Sequence, residues 1–246
     1  MIFVIPMAGV SQRFQDAGYN KPKYKLSLAG GSVFSYAVQS FEAYFKKNSF
    51  LFIHRAEEGI ERFIISECET LGVQSPILME LSENTRGQAE TIAKGLKAAK
   101  IGDKESIAIF NIDTFRPKFN FPCQFDLDKI DGYLEVFRGS GTNWSYVRSI
   151  APDTCRVAET ADKVQISDLC CTGLYYFREA GEFKKAFKMH VDDNPSGELY
   201  VAPLYNHLIK TGADIFFHEI QLNQVTFCGI PEEYELLKQH WKIRNE

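Results

Sequence analysis

The sequence predicts an α/β fold built on a mixed, mostly parallel central sheet. Over residues 1–113, short apolar runs rich in β-branched and aromatic residues alternate with amphipathic stretches. This alternation is typical of a parallel sheet with helices on both faces, and runs that are apolar throughout indicate strands buried on both sides. Shorter mixed strands are expected in residues 114–246. Because no repeat and no linker is visible, we expect a single domain over residues 1–246.

Strands and helices alternate in the first half of the chain. The predicted strands cover residues 2–6, 49–54, 75–81 and 106–112. The first helix is capped by Ser32 and runs to Phe45, because its apolar residues lie three or four positions apart. The second covers residues 57–71 and ends before Gly72, and the third covers residues 88–99.

The second half changes rhythm. Residues 115–122 are broken by prolines and are predicted to form a loop. Strands are expected at residues 131–137, 144–150, 155–159 and 172–177. A helix at residues 198–210 precedes a final helix at residues 231–241, which has Pro231 in its first turn. The solvated face of that last helix is expected to include Glu232, Glu233 and Glu235.

Composition and charge exclude several classes of function. The chain is 45% hydrophobic and 24% charged, with a formal net charge of −4, so neither a disordered chain nor a nucleic-acid-binding surface is expected. The first apolar run is broken by Pro6 and Gly9 and lacks a basic leader, so we expect neither a signal peptide nor a membrane anchor. The six cysteines include no CxxC pair, which indicates free, buried thiols in the reducing cytoplasm.

A candidate phosphate-binding loop, PMAGVSQRFQDAGYNKPK, follows the first strand. Gly9 allows a ligand to approach the backbone closely. Arg13, Lys21 and Lys23 bring three cations to one loop of an acidic protein, and such a loop at the carboxyl end of a strand suits an anionic ligand. The loop matches neither the Walker nor the dinucleotide fingerprint, so the residues alone also allow a solvated loop with scattered charges.

Asp113 ends the predicted strand SIAIFNI. A carboxylate at this place suits magnesium, which needs one or two protein carboxylates because it keeps several water ligands. An aspartate that caps the following turn is the alternative, and the residue types alone do not decide between the two. The five histidines show no spacing typical of a zinc site.

AGVSQRF followed by GYNKPKYKLSLAGGSVF resembles the signature of the sugar-phosphate nucleotidyltransferases. Ser11 stands at the position of the second glycine of that signature, and Ser32 at the position of its usual proline. The resemblance implies a Rossmann-like nucleotide-binding fold, with a nucleotide-binding half at residues 1–113 and an acceptor-binding half at residues 114–246.

The resemblance also implies roles for single residues. Arg13 would contact the leaving pyrophosphate, Lys23 the transferred α-phosphate, and Asp113, in NIDTF, a magnesium ion. The implied nucleotide-binding residues are Ala8, Gly9 and Gly87, the last in TRGQAETI. Further matching motifs are ETADKV, CTGLYYF and SGELYVAPLYN. The acceptor-binding residues that they imply are Asp162, Lys163, Thr172, Gly173 and Glu198.

One departure from the family pattern concerns the metal site. FCGIPEEYELL resembles the late turn of the family, where a second metal-binding aspartate normally lies two residues before a glycine. This chain has Phe227 there, and a phenyl ring cannot ligate magnesium. Another carboxylate could replace the aspartate, one carboxylate could suffice, or activity could be reduced or lost.

These motifs predict an enzyme that condenses a nucleoside triphosphate with a sugar 1-phosphate, or with a similar acceptor such as phosphocholine, and releases pyrophosphate. The resemblance implies Mg²⁺ as cofactor and a role in polysaccharide biosynthesis. The charge balance, the short first apolar run and the free thiols predict a cytoplasmic protein with no nucleic-acid or membrane partner. A glycosyltransferase is an alternative, although Asp113-Thr114-Phe115 lacks the second aspartate of a D-x-D pair. A non-catalytic nucleotide-sensing relative is the other alternative, because of Phe227. The sequence leaves the base, the acceptor and the oligomeric state open.

Overall fold

The chain folds around one mixed β-sheet, and a computed structural model describes residues 1–243. The strands are β1 (Ile2–Pro6), β2 (Ser27–Leu28), β3 (Gly31–Ser32), β4 (Ser49–Arg55), β5 (Ile77–Leu81), β6 (Ile107–Ile109), β7 (Thr114–Phe115), β8 (Gly132–Arg138), β9 (Ser145–Ser149), β10 (Val157–Asp162), β11 (Leu169–Phe177), β12 (Ile215–Glu219) and β13 (Thr226–Phe227). The α-helices are α1 (Gln12–Asp16), α2 (Val33–Gln39), α3 (Ile60–Leu71), α4 (Gln88–Ala98), α5 (Ala180–Asp193), α6 (Leu204–Lys210) and α7 (Pro231–Ile243). Single 3₁₀ turns cover Lys23–Lys25, Glu42–Tyr44 and Leu222–Gln224.

The central sheet joins both halves of the chain. Its main order is β10-β9-β11-β6-β1-β4-β5, and β8 lies between β11 and β12. Strand β1 pairs in parallel with β4 and β6, and β4 pairs in parallel with β5. Strand β11 runs antiparallel to β6, β8 and β9. This arrangement confirms the predicted α/β fold with a mixed sheet, in which the first-half strands pair in parallel, as do β8 and β12 of the second half.

The two faces of the sheet carry separate hydrophobic cores. Along β1, Ile2 and Val4 belong to one core, and Phe3 and Ile5 to the other. Successive side chains of a strand point to opposite faces, so a strand that is apolar throughout requires helices on both sides. The second core is rich in aromatic residues; the ring of Phe3, for example, stacks on that of Phe50 at 4.9 Å.

The predicted first helix is shorter in the structure. Ser32 caps α2 as expected, and Ser32 and Ser35 form a reciprocal capping box. The helix ends at Gln39, however, and a 3₁₀ turn carries the chain onward. Phe41 and Phe45 stay buried all the same, because the periodicity that predicts their burial does not require one continuous helix.

Helix α5 and strand β12 are elements that the sequence analysis missed. Helix α5 buries Ala180, Phe183 and Ala186, whose spacing of three residues is a weak helical signal beside the charged residues around them. The helix predicted at residues 198–210 starts only at Leu204. The preceding residues do not form helix because Leu199 hydrogen-bonds to the backbone before and within α4.

Two other predictions concern the burial of the cysteines and membrane-spanning segments. Within the described residues all six cysteines are free, and Cys68, Cys170, Cys171 and Cys228 are buried as predicted. Cys123 is exposed and Cys155 is half-buried, so burial is not general. Within residues 1–243, every helix is too short or too polar to cross a membrane.

Candidate active site

A cavity of about 850 Å³ lies at the carboxyl ends of β1 and β6, where ligands of open α/β sheets bind. The structure brings together around it every residue to which the family resemblance assigns a role. These residues are Ala8, Gly9, Arg13, Lys23, Gly87, Asp113, Asp162, Lys163, Thr172, Gly173 and Glu198. The opening loop and Asp113 therefore face a common cavity, and the individual roles of these residues stay predictions.

The loop after β1 bends sharply at Ser11. Ser11 has φ of 54° and ψ of 37°, a left-handed conformation that costs a residue other than glycine about 1–2 kcal/mol. This explains why the family signature has glycine at the position. The Ser11 hydroxyl oxygen accepts a hydrogen bond from the Lys23 backbone N–H at 3.5 Å, so the serine joins the two ends of the loop. A Cβ built at Gly9 meets no described atom within 4 Å.

Arg13 extends from α1 across the cavity. Its Nη2 donates to the Asn143 side-chain oxygen at 3.3 Å, which links the opening loop to the segment between β8 and β9. Asn143 also lines the cavity and is a residue that the sequence analysis missed. Lys21 is exposed and is not among the described residues that line the cavity, so the three predicted loop cations do not all converge.

Lys23 and Asp113 form an ion pair at the centre of the site. The side chains are 24% and 16% exposed, so water screens the attraction only in part. The carbonyl oxygen of Asp113 accepts a hydrogen bond from the Cys228 N–H at 2.8 Å. The turn that carries the carboxylate is thus fixed to the late turn of the chain.

Glu233 is a second carboxylate beside Asp113. Its Oε2 accepts hydrogen bonds from the N–H groups of Gly229 at 2.7 Å and Ile230 at 3.3 Å. A Cβ built at Gly229 would lie 3.3 Å from Asp113 Oδ2 and 3.7 Å from Glu233 Oε2, so the glycine separates the two carboxylates. Burial raises the pKa of Glu233. The prediction that Glu233 lies on a solvated face is wrong, because the late turn folds its side chain back into the cavity.

Phe227 packs into an aromatic cluster at the edge of the cavity. Its ring lies 4.6 Å from that of Trp144 and 5.2 Å from that of Phe137, measured between centroids. Phe227 and Trp144 both line the cavity. The position that carries a carboxylate in the family pattern is therefore part of an apolar wall here.

Packing within the chain requires glycine at position 87, in addition to the predicted role of Gly87 in nucleotide binding. Its φ is +140°, and an added Cβ would lie 2.5 Å from the carbonyl oxygen of Leu199. The Leu199 N–H donates to the Arg86 carbonyl at 2.8 Å, and the Ala89 N–H donates to the Leu199 carbonyl at 2.9 Å. The predicted nucleotide segment and the predicted acceptor segment are thus in direct backbone contact.

Three of the predicted acceptor residues, Asp162, Lys163 and Glu198, form a second polar group in the cavity wall. Asp162 accepts a hydrogen bond from the Ser145 hydroxyl at 2.6 Å, and burial raises the pKa of Asp162. Lys163 pairs with Glu198 at 3.3 Å and donates to the Tyr200 hydroxyl. Its ammonium group also lies 4.5 Å from the centre of the Tyr200 ring. Ser145 and Tyr200 are further residues of this group, and the motifs assign no role to either.

Two hydrogen-bonded side-chain amides, those of Gln88 and Asn111, also line the cavity. Gln88 Nε2 donates to Asn111 Oδ1 at 2.5 Å, and both residues line the cavity. The sequence indicates these two residues only through their neighbours in the motifs: Gln88 follows Gly87, and Asn111 lies two residues before Asp113. A side-chain amide both donates and accepts hydrogen bonds without adding charge, so Gln88 and Asn111 suit a polar, uncharged part of a ligand.

The last helix braces the opening loop from outside. The Tyr234 hydroxyl donates to the Ser27 carbonyl at 2.9 Å, and the Tyr19 hydroxyl donates to the Glu235 carboxylate. The rings of Phe14, Tyr19 and Tyr234 pack edge to face. Residues from both ends of the chain therefore shape the same wall of the cavity.

Solved structures identify the family. A nucleoside-diphosphate-sugar pyrophosphorylase from Vibrio cholerae RC9 is 43% identical, covers 97% of this chain and 100% of its own, and superposes with a TM-score of 0.91. An inositol-1-phosphate CTP transferase from T. maritima is 16% identical with a TM-score of 0.74, covering 98% of this chain and 96% of its own. A UDP-glucose pyrophosphorylase from Acinetobacter baumanii is 14% identical with a TM-score of 0.70, covering 99% and 94%.

The second and third of these structures share the fold at low identity, and the first carries the family assignment. No protein-family model and no curated protein matches the chain. The 43% identity to the V. cholerae protein extends over almost the whole of both chains, and the motifs that carry the predicted resemblance line one cavity. The chain therefore belongs to the nucleoside-diphosphate-sugar pyrophosphorylases, which are sugar-phosphate nucleotidyltransferases.

Proposed function

We propose that this chain joins a nucleoside triphosphate to a sugar 1-phosphate, or to a similar phosphorylated small molecule, and releases pyrophosphate. The observation that carries the proposal is that two charged groups of residues line one cavity. Arg13, Lys23 and Asp113 form the first, and Lys163 and Glu198 belong to the second. An enzyme of this kind holds two phosphate-bearing substrates whose negative charges repel each other, so its cavity needs cations for both of them.

The reaction is an in-line displacement at the α-phosphorus. A phosphate oxygen of the acceptor attacks, the bond from the α-phosphorus to the bridging oxygen breaks, and pyrophosphate leaves with the electron pair. The acceptor phosphate is already anionic at neutral pH, so the attack needs no general base and no covalent intermediate with the enzyme. Catalysis then rests on positioning the reactants and stabilising the leaving group.

The charged side chains divide this work in the proposal. Arg13 binds the leaving pyrophosphate through its planar guanidinium group, and Lys23 binds the α-phosphate. Lys163 gives up part of its ion pair with Glu198 and binds the acceptor phosphate. Asp162 and Glu198 accept hydrogen bonds from acceptor hydroxyls. Ala8, Gly9 and Gly87 present backbone to the nucleotide, and the Gln88 and Asn111 amides beside them suit a polar base.

Magnesium would be held by Asp113, with Glu233 as the neighbouring carboxylate. The residues fit this ion because both are oxygen donors on either side of Gly229, and magnesium prefers oxygen ligands. Bound there, it would polarise the phosphate oxygens and offset their charge. Of the possibilities raised by Phe227, this geometry favours the replacement of the usual aspartate by another carboxylate.

The test is a pyrophosphate-release assay with each nucleoside triphosphate against a panel of sugar 1-phosphates and phosphocholine, with and without Mg²⁺. We expect release that needs one triphosphate, one acceptor and Mg²⁺ together. Nucleotide binding without release for any acceptor would favour the non-catalytic hypothesis. Sugar transfer from a nucleotide sugar would favour a glycosyltransferase. In the proposal the product serves polysaccharide synthesis in the cytoplasm.

A further inference from the structure

A buried ion pair lies beneath the cavity and outside the groups assigned above. Arg116 Nε donates to both carboxylate oxygens of Glu135 at 3.1 Å, and the side chains are only 7% and 1% exposed. Burial raises the pKa of Glu135, and the guanidinium group opposes that rise. Taking both charges out of water is costly, and apolar residues of similar volume often replace such pairs without loss of stability. The contacts of the pair indicate a role beyond stability.

On one side, Arg116 is joined to both strands of the small ribbon that carries Asp113. Arg116 directly follows β7, and its backbone N–H donates to the Ser40 hydroxyl at 2.8 Å. Its Nη1 donates to the carbonyl of Gln224 at 3.3 Å, just before β13. Strands β7 and β13 pair antiparallel, with Thr114 opposite Phe227. The guanidinium group thus fixes the ribbon that holds the Asp113 turn and the late turn.

On the other side, Glu135 supports the acceptor strand. The Thr172 hydroxyl donates to Glu135 Oε1 at 3.1 Å, and the Thr172 carbonyl accepts from the Thr114 hydroxyl at 3.4 Å. Strand β11 is irregular between Cys171 and Tyr175, where its register with β8 shifts. The bulge is the part of β11 that reaches the cavity through Thr172 and Gly173.

We infer that Arg116 and Glu135 are positioning residues that set the distance between the Asp113 turn and the acceptor strand. Neither lines the cavity among the described residues, so both act through Asp113 and Thr172. The inference rests on the proposed function, since in-line transfer needs the two phosphates in one geometry. A displacement of about 1 Å at the reacting atoms can cost about 10²-fold in rate.

The test is the double variant Arg116→Met/Glu135→Leu, which removes both charges at similar volume. We expect a folded protein whose kcat falls about 10- to 100-fold and whose KM for the acceptor rises, when both are measured well below the melting temperature. A purely structural pair would lower the melting temperature and leave kcat and KM of the folded enzyme unchanged.

The matched control is Arg178→Met/Asp131→Asn. This pair joins the end of β11 to the start of β8, where Phe177 pairs with Gly132, with Arg178 Nη2 2.5 Å from Asp131 Oδ1. The control should keep wild-type kcat and KM. If the first double variant does not fold, Glu135→Gln replaces it, because the amide still accepts from Thr172 but leaves the guanidinium charge unbalanced. About a tenfold loss of kcat is expected from that change.

Wild-type kinetics in the Arg116/Glu135 variant, or an equal loss in the control, would overturn the inference while the proposed function stands. Absence of pyrophosphate release from the wild-type protein with every acceptor would overturn the proposed function and this inference together. The two failures are therefore distinguishable in one set of assays.

Discussion

At the scale of single residues, the ion pair between Lys23 and Asp113 carries the most direct prediction. Lys23→Ala or Asp113→Ala should lower the rate of pyrophosphate release about 10²- to 10³-fold, because each removes a group that stabilises charge on the reacting phosphates. The protein should still fold, since the hydrogen bond from the Cys228 N–H to the Asp113 carbonyl is made by the backbone and is kept in both variants. Near-wild-type rates in both variants would contradict the mechanism.

Lys21 offers the matched control for this prediction. It lies on the same loop, two residues from Lys23, but is exposed and does not reach the cavity among the described residues. Lys21→Ala should therefore keep the wild-type rate. A loss as large as that of Lys23→Ala would mean that the net charge of the loop matters, and not the position of one ammonium group.

Glu233 allows a test of the proposed metal site without disturbing the fold. Glu233 is the third residue of α7 in a capping arrangement with the Ile230 N–H, and glutamine serves equally well there. Glu233→Gln should keep the melting temperature but raise the Mg²⁺ concentration needed for half-maximal activity about 10-fold. Titration with Mn²⁺ in the presence of a non-hydrolysable triphosphate should show the same weakening. An unchanged metal affinity would leave Asp113 as the one metal-binding carboxylate.

The residues of the site divide into those that motifs predict and those that only folding brings in. Arg13 and Lys23 are found from the sequence because they lie in one short loop with a recognisable order. Glu233 and Asn143 are not, because neither lies in a local pattern that points into the cavity. Glu233 faces inward only because the backbone of Gly229 and Ile230 donates to it, and a charge on a helix is otherwise expected in water.

At the scale of elements, the contact between the start of α4 and Leu199 predicts a specific defect. Gly87→Ala forces a side chain into a φ of +140° and within 2.5 Å of a carbonyl oxygen. Backbone strain of this kind costs about 1–3 kcal/mol, and the clash adds to it. We expect a lower melting temperature in thermal unfolding and weaker binding of both substrates, because the two segments are joined there.

Gly9→Ala is the contrasting substitution. A Cβ there meets no described atom within 4 Å, so stability should be kept. The methyl group would extend into the space that the proposal gives to the nucleotide, so the thermal stabilisation by the triphosphate should fall. If Gly9→Ala destabilised the protein as much as Gly87→Ala, the two glycines would not have the different roles that the geometry indicates.

The elements themselves were predictable where a strand or helix follows one strong local pattern. Strand β1 matches its predicted range because five consecutive apolar residues suit a strand covered on both faces. Helix α5 is absent from the sequence prediction because Phe183 is its only large buried side chain among the described residues and charged residues surround it. Helix α6 was predicted six residues too early, because the contacts of Leu199 with Arg86 and Ala89 are distant in sequence.

At the scale of the whole molecule, stability should depend on pH through the pair of histidines between α5 and α6. His190 Nδ1 lies 3.3 Å from His207 Nε2, and burial lowers the pKa of both. A lowered pKa means that the unfolded chain binds protons more readily below about pH 6.5. The free energy of unfolding should therefore fall as pH falls from 7.5 to 5.5.

Urea unfolding at several pH values checks this expectation. The variant His190→Gln/His207→Gln should show a shallower fall over the same range. Asp162 and Glu233 act with the opposite sign, because burial raises the pKa of each carboxyl and the folded state then binds protons more readily. A double variant with the wild-type slope would show that these histidines do not control the pH dependence.

The bracing of the opening loop by α7 bears on the synthesis of the protein. Arg13 and Lys23 are translated about 200 residues before Tyr234 and Glu235, which hold their loop. A nascent chain that stops at β13 would contain almost every residue proposed to bind phosphate, but not the helix α7 that holds their loop in position. We therefore expect the nucleotide site to become rigid only after α7 has been translated, so changes in α7 should affect a site formed largely by the first half of the chain.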